Sequence, residues 1–216
     1  MMLRVAVICE GQTEANFVQT CLSPELNRAA FWVDAVILGS RHSNHKGGRV
    51  SVERLAVHMA RLRGNYDRLT TLVDHYGFEN PLSRSRQELE AAISAEAIKR
   101  GCDARVVLPY VQMYEFEALL FSDVRAFEHI ILPCHERELD SLAKIRTSFE
   151  GPEAINNSRE TAPSKRIQAI FGSRYQKAVA GPLIAREIGL NVIRRACPQF
   201  HAWVIQLEGW AAEIAS

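Results

Sequence analysis

Acidic side chains carry the clearest chemical signal in this sequence. Glu10 comes directly after an apolar run that ends at Cys9, and Asp74 directly after Leu69 to Val73. Glu115 and Glu117 stand just beyond the stretch Ala104 to Gln112, and Glu14 lies four residues after Glu10. Carboxylates gathered with no accompanying Cys or His select a hard, oxygen-loving cation, magnesium first and manganese second. Such a cluster would repel itself, and a divalent ion removes that cost. One or two ions at such a place generate a hydroxide nucleophile and stabilise charge on a phosphoryl group in transfer. The plain alternative stays open for each acid: Asp and Glu also favour helix N-termini, so Asp74 could be a cap and Glu115 a dipole partner. Glu115 and Glu117 cannot share one face of an α-helix, but both can face inward if extended chain continues that far.

The convergence needs elements that bring distant acids to one rim. Leu3 to Cys9, Phe31 to Leu38, Leu69 to Val73 and Ala104 to Gln112 are short, β-rich apolar runs, expected as buried strands. Between them lie stretches with helical texture: Thr13 to about Pro24, a segment after a Ser51 N-cap up to Gly64-Asn65, and Ser85 to Lys99 ended by Gly101. Strands joined by crossovers of a dozen or more residues imply a parallel sheet with helices on its faces and right-handed connections. Ligands of such sheets bind outside the carboxyl ends of the strands, where these acids fall. Neighbouring strands are about 4.8 Å apart, so rim carboxylates from adjacent strands can meet at one ion.

Beyond Gln112 the texture is helical: Glu115 to Phe121, Glu136 to Phe149, Ser164 to Phe171, Lys177 to Ile188 and Phe200 to Ala212, with a polar interruption from Glu150 to Pro163. The expected organisation is an α/β core over residues 1–125 and a helical extension over 126–216 packed on it. The composition agrees with a folded chain: 47% hydrophobic and 24% charged residues in 216 give a core that needs no metal or disulfide staple. A formal net charge of +1 excludes wholesale basic attraction to nucleic acid and leaves room for local patches. The 5 cysteines are scattered with no CxxC pair, which points to free thiols in a reducing cytosol and away from a zinc ribbon. The apolar run at the start is too short for a secretory signal, and no stretch approaches the roughly 20 apolar residues of a membrane span. No Ser-His-Asp or Cys-His grouping, Walker loop or GxGxxG turn is present, so the chain carries no ATPase of its own.

Cys9-Glu10-Gly11-Gln12-Thr13-Glu14 forms an EGxTE turn after the first strand. It resembles the opening motif of Toprim domains, especially those of OLD-type nucleases. Leu72 to Gly77, Tyr114 to Phe121, Ala162 to Ile167, and Ile193 to Phe200 leading to Trp203 resemble, in order, a bacterial Toprim-like family carrying that motif, often associated with phage-defence loci. The resemblance implies a Toprim-like parallel sheet of about four strands with the helical C-terminal extension. It implies that Glu10 is the strand-end glutamate, Glu14 the second acid of OLD-type sites, and Asp74 the first acid of a DxD pair. The sequence departs at that pair, where Tyr76 stands two beyond Asp74; Glu115 or Glu117 is the expected substitute. If the chain works as OLD-type nucleases do, its ATPase is a separate subunit.

Phosphate contacts are sought among cations. Pro163-Ser164-Lys165-Arg166 has the look of a helix start with basic residues attached, a ready anion site or simply a solvated basic turn. With the resemblance, Lys165 becomes a catalytic candidate, and Ser164 and Arg166 substrate contacts; Arg166 could instead pair with an acid. The loop Ser40 to Arg49 offers Arg41, Lys46 and Arg49 to a nucleic-acid backbone, or has no role. His42 and His45 lack a third zinc ligand, and His75 is an acid-base candidate that more often would only pack. Phe200 and Trp203, at helical spacing, are expected in the core. The expectation is a cytoplasmic, metal-dependent phosphodiesterase acting on nucleic acid, with phage defence as the setting the resemblance implies and Mg²⁺ or Mn²⁺ as cofactor. Its competitor is a non-catalytic Toprim-derived subunit that binds a partner ATPase or nucleic acid; small-nucleotide hydrolysis is a weaker third. An oligomer is compatible with either.

Overall fold

Short β-branched runs and amphipathic helices build a parallel sheet covered on both faces, seen in a computed structural model that describes residues 2–28, 30–39, 50–79, 83–156 and 158–215. The strands are β1 (Leu3–Cys9), β2 (Phe31–Ile37), β3 (Arg68–Asp74), β4 (Val107–Leu108) and β5 (Val111–Gln112). Their order is β2-β1-β3-β4, with β5 continuing the ladder on β3, and every pairing is parallel. Register sets Val5 opposite Val33 on one side and Arg68 on the other, so the carboxyl ends of β1 and β3 lie side by side.

The first helix, α1 (Gln12–Phe17), passes through a π turn at Val18–Leu22 into α2 (Ser23–Leu26). Pro24 cannot donate to a carbonyl four residues back, and the wider π turn is one way a helix survives such a residue. The crossovers that follow are α3 (Val52–Leu62), with Ser51 Oγ accepting from Arg54 N, and α4 (Arg86–Lys99), with Ser85 and Glu88 in a reciprocal capping box. Then come α5 (Phe127–Ile130), α6 (Glu136–Thr147), α7 (Pro163–Phe171), α8 (Lys177–Ile188), α9 (Leu190–Ala196) and α10 (Pro198–Ala215).

Side-chain alternation divides the core. Ala6, Ile8, Leu69 and Val73 face Leu55 and Met59 of α3 and Leu89 and Ile93 of α4. Val5, Val7, Cys9 and Leu72 face the other way, into one apolar cluster with Phe17, Ile184, Phe200 and Trp203. Phe200 and Trp203 are core residues, buried beside Tyr110. That second cluster runs unbroken from Leu3 to Trp210, so the C-terminal helices form the cover of one sheet face. No helix among the described residues is long and apolar enough to cross a membrane.

The expected strand Ala104 to Gln112 is broken into a 3₁₀ turn at Ala104–Val106, β4 and β5. Pro109 has no N–H for the ladder. Two buried threonines of β3 span the gap: Thr70 Oγ1 donates to the Leu108 carbonyl, while Thr71 Oγ1 donates to the Tyr110 carbonyl at 2.7 Å and accepts Tyr110 N–H at 2.9 Å. Thr70 Oγ1 also accepts the Trp203 indole N–H at 2.8 Å. Glu90 of α4 accepts Val111 N–H at 3.0 Å, so side chains add to the backbone ladder that holds the short outer strand.

Candidate metal and phosphodiester site at the carboxyl rim of the sheet

The carboxyl ends of β1 and β3 release two turns toward the same rim. After β1, Gly11 N–H donates to Glu14 Oε2 at 3.1 Å, which caps α1 and ties Glu14 to the turn that carries Glu10. After β3, Asp74 Oδ1 accepts Phe116 N–H at 2.7 Å, and Tyr76 N–H donates to the Tyr114 carbonyl at 3.0 Å. These two bonds lock the third segment, Tyr114 to Glu117, onto the end of β3. Tyr114 sits in the left-handed region at φ 59°, a conformation that costs a non-glycine residue roughly 1–3 kcal/mol. The kink turns extended Glu115 into the 3₁₀ helix Phe116–Ser122, and Glu117 falls in its first turn. Extended chain at Glu115 is why residues two apart both reach the rim.

Each acid has its own surroundings. Glu117 is wholly buried, with Oε1 accepting the Tyr175 hydroxyl at 3.1 Å and Oε2 3.0 Å from Lys177 Nζ. Lys177 Nζ also lies 3.8 Å from Asp74 Oδ2. Glu115 Oε2 accepts Ser164 N–H at 2.8 Å, at the start of α7. Glu10 Oε2 is buried with no hydrogen-bond partner, packed against the Gly77 backbone. A Cβ on residue 77 would come within 2.2 Å of that oxygen, so only glycine leaves the carboxylate this seat.

The charges respond. Burial, then repulsion from Glu14 and Glu115, pushes the Glu10 carboxyl from 4.5 up to about 7, against the pull of Lys177 and the Asp74 backbone. Burial also raises Asp74 well above the usual carboxylate range, with Glu14, Glu10 and Glu117 adding to it and Lys177 opposing. Glu117 is raised by burial and lowered by Lys177. For Lys177 burial works against the ammonium, but Glu117, Asp74, Glu115 and Glu14 outweigh it and hold the charge.

The donor set fits a hard divalent ion. All five acids offer oxygen only, the Lys177 ammonium faces Asp74 and Glu117, and two buried carboxylate oxygens have no hydrogen-bond donor: Glu117 Oε2, which is ion-paired with Lys177, and Glu10 Oε2. As placed, no group of three His, Cys, Asp or Glu side chains among the described residues is close enough to share an ion, so ligation takes side-chain rotation. Glu10, Glu14 and Asp74 are the residues that would hold it, with Glu115 and Glu117 behind them.

The remaining sequence candidates fall as follows. Ser164 reaches the rim through its amide rather than its hydroxyl. Lys165 is exposed on α7 and makes no ion pair among the described residues. Arg166 Nε donates to the Thr161 carbonyl at 2.6 Å and its guanidinium covers the Phe149 ring, so it clamps the start of α7. His75 is buried, with Nε2 3.1 Å from the Arg84 carbonyl. Arg41, Lys46 and Arg49, with His42 and His45, lie outside the described residues.

Lys177, Tyr175, Gly77 and Arg159 join the site although their types and spacing do not mark them in the sequence. Arg159 donates to the carbonyls of Tyr76 and Phe78 and lies over the Tyr76 ring, pinning the turn after β3. Lys177 did leave a sign: it opens a helix, where the macrodipole disfavours a cation unless acids surround it. A cavity of about 510 Å³ lined by His75, Arg84, Ser85, Met113, Tyr114 and Gln199 opens beside the same turn.

No curated protein and no solved structure gives a match. The family model described as Domain of unknown function (DUF4276) matches residues 9–208, from the end of β1 through most of α10, and the chain belongs to that family.

Proposed function

We propose that this chain is a metal-dependent phosphodiesterase acting on nucleic acid, with Mg²⁺ or Mn²⁺ bound at the rim. One observation carries the reading: Glu10, Glu14, Asp74, Glu115 and Glu117, drawn from three separated segments, crowd one end of a parallel sheet near the Lys177 ammonium. A divalent ion there supplies an activated water and neutralises charge on a phosphoryl group. The chain's own part is positional. Glu10 and Asp74 hold ligand oxygens at adjacent strand ends, Glu14 is fixed by Gly11 N–H, and Lys177 balances the buried Glu117. The neighbouring cavity has space for a nucleotide-sized group, with Tyr114 offering an aromatic face and Arg84 an exposed cation. The EGxTE resemblance to OLD-type Toprim nucleases points the same way, and phage defence is the setting it suggests.

Cleavage of single- and double-stranded DNA and RNA with and without Mg²⁺ or Mn²⁺ tests the reading. Metal-dependent cleavage is expected to fall at least about 100-fold in Glu10→Ala and in Asp74→Ala. Full activity in both variants removes the assignment.

A second reading has its own observation. Tyr76 stands where a DxD pair would place its second acid, and Lys177 already lies within 3.8 Å of Asp74. These favour a non-catalytic subunit that binds a partner ATPase or nucleic acid. Calorimetry with magnesium separates the two, since that subunit would take up no ion.

A further inference from the structure

The geometry points to Lys177 as a built-in cation that fills one of two cation positions at the rim, leaving a single position, beside Glu10, for a divalent ion. This rests on the divalent-ion reading above and deepens it.

The rim divides into two unequal sides. On one, each carboxylate oxygen faces either a hydrogen-bond donor or the Lys177 ammonium, which is the ion-pair partner of a Glu117 Oε2 that has no hydrogen bond. Glu117 has the Tyr175 hydroxyl on Oε1 and Lys177 Nζ at 3.0 Å from Oε2. Asp74 has Phe116 N–H on Oδ1 and Lys177 Nζ at 3.8 Å from Oδ2. The ammonium thus lies between the carboxylate that ends β3 and one that follows β5. On the other side Glu10 Oε2 is buried, faces the Gly77 backbone and has no donor. Asp74 borders both sides.

Lys177 is placed by the fold. It is the first residue of α8, whose Ala180, Gly181, Ile184 and Ala185 are buried. Asn16 Nδ2 donates to the Ala178 carbonyl at 2.9 Å and ties the start of α8 to α1, the helix that carries Glu14. At Gly181 a Cβ would stand 3.2 Å from the Tyr175 hydroxyl and 3.4 Å from Phe116, so the small residue lets α8 approach the Glu117 segment. A cation at a helix N-terminus runs against the macrodipole. The position therefore makes sense for its carboxylate partners and not for the helix.

Manganese titration of the full chain, read as ions bound per chain by paramagnetic resonance or calorimetry, tests this without an activity assay. Lys177→Met should bind one more Mn²⁺ than the wild type, and Lys177→Arg the same number. Glu117→Gln should keep the wild-type number with an affinity within about threefold, because Glu117 holds the lysine and not the ion; Glu10→Gln should lose the ion. Equal numbers for wild type and a folded Lys177→Met, or loss of the ion in Glu117→Gln, overturns the assignment. The Glu117→Gln arm decides if Lys177→Met does not fold. The wild-type number alone judges the function proposed above: no ion in the wild type but one in Lys177→Met sinks metal dependence and leaves Lys177's role standing.

Discussion

At the scale of single residues, Glu10 is the most informative side chain. Its folded-state carboxyl sits at about 7 against 4.5 outside the fold, so between those values the folded state keeps a proton that the unfolded state has lost. Stability from this group is therefore full below about pH 4.5 and falls as pH rises through 7. In a chelator, thermal unfolding followed from about pH 5 to 8 should show a falling Tm, and Glu10→Gln should flatten the fall. The same pH dependence in the wild type and in Glu10→Gln contradicts the burial of Glu10. Gly77 makes a separable prediction. A Cβ there overlaps Glu10 Oε2, the movable end of a side chain, so Gly77→Ala should turn the carboxylate away at little cost in stability. Manganese affinity should drop roughly 10- to 100-fold while Tm stays within a few degrees. A drop in Tm with unchanged affinity would mean that Gly77 serves only the turn.

Elements explain both what the sequence disclosed and what it hid. The limits of β1 and the starts of α3 and α4 were legible because apolar runs, Ser51 and Ser85 are local signals. The convergence of Glu10 with Asp74 followed from the rule that such acids stand at strand ends. The split of the last strand was not legible in its consequence: Pro109 announces a break, but nothing local says that Thr70 and Thr71, far back in the chain, will complete the hydrogen bonds. Replacing Thr71 by Val keeps the shape and strands a buried N–H and C=O of Tyr110, a loss of roughly 2–4 kcal/mol by urea unfolding. A loss under about 0.5 kcal/mol would show that the backbone finds other partners. Lys177 was hidden for a similar reason. Its segment showed helical texture, but its partners follow β3 and Tyr114, so only the packing of α8 reveals what it neutralises.

Over the whole molecule, the site depends on the C-terminal helices as much as on the sheet. One buried cluster joins Val5, Val7 and Leu72 to Ile184, Phe200 and Trp203, and α8 delivers Lys177 to acids that follow the strands. A chain ended after Asp123 should lack a cooperative unfolding transition, since a sheet face would lose its cover; a soluble, cooperatively melting product would mean that the helices are a separable unit. An ion at the rim should stabilise all of it together. At an ion concentration about 100 times the Kd, the expected gain is about 2.7 kcal/mol, or a Tm rise of roughly 5–11 °C, absent in Glu10→Gln. The most direct measurement is anomalous diffraction from crystals soaked in manganese. One peak is expected at the rim, within coordination distance of a Glu10 oxygen and bordered by Asp74, with Lys177 Nζ still on Glu117. Crystals with no peak there, and Glu10 still without a cation, would contradict this expectation.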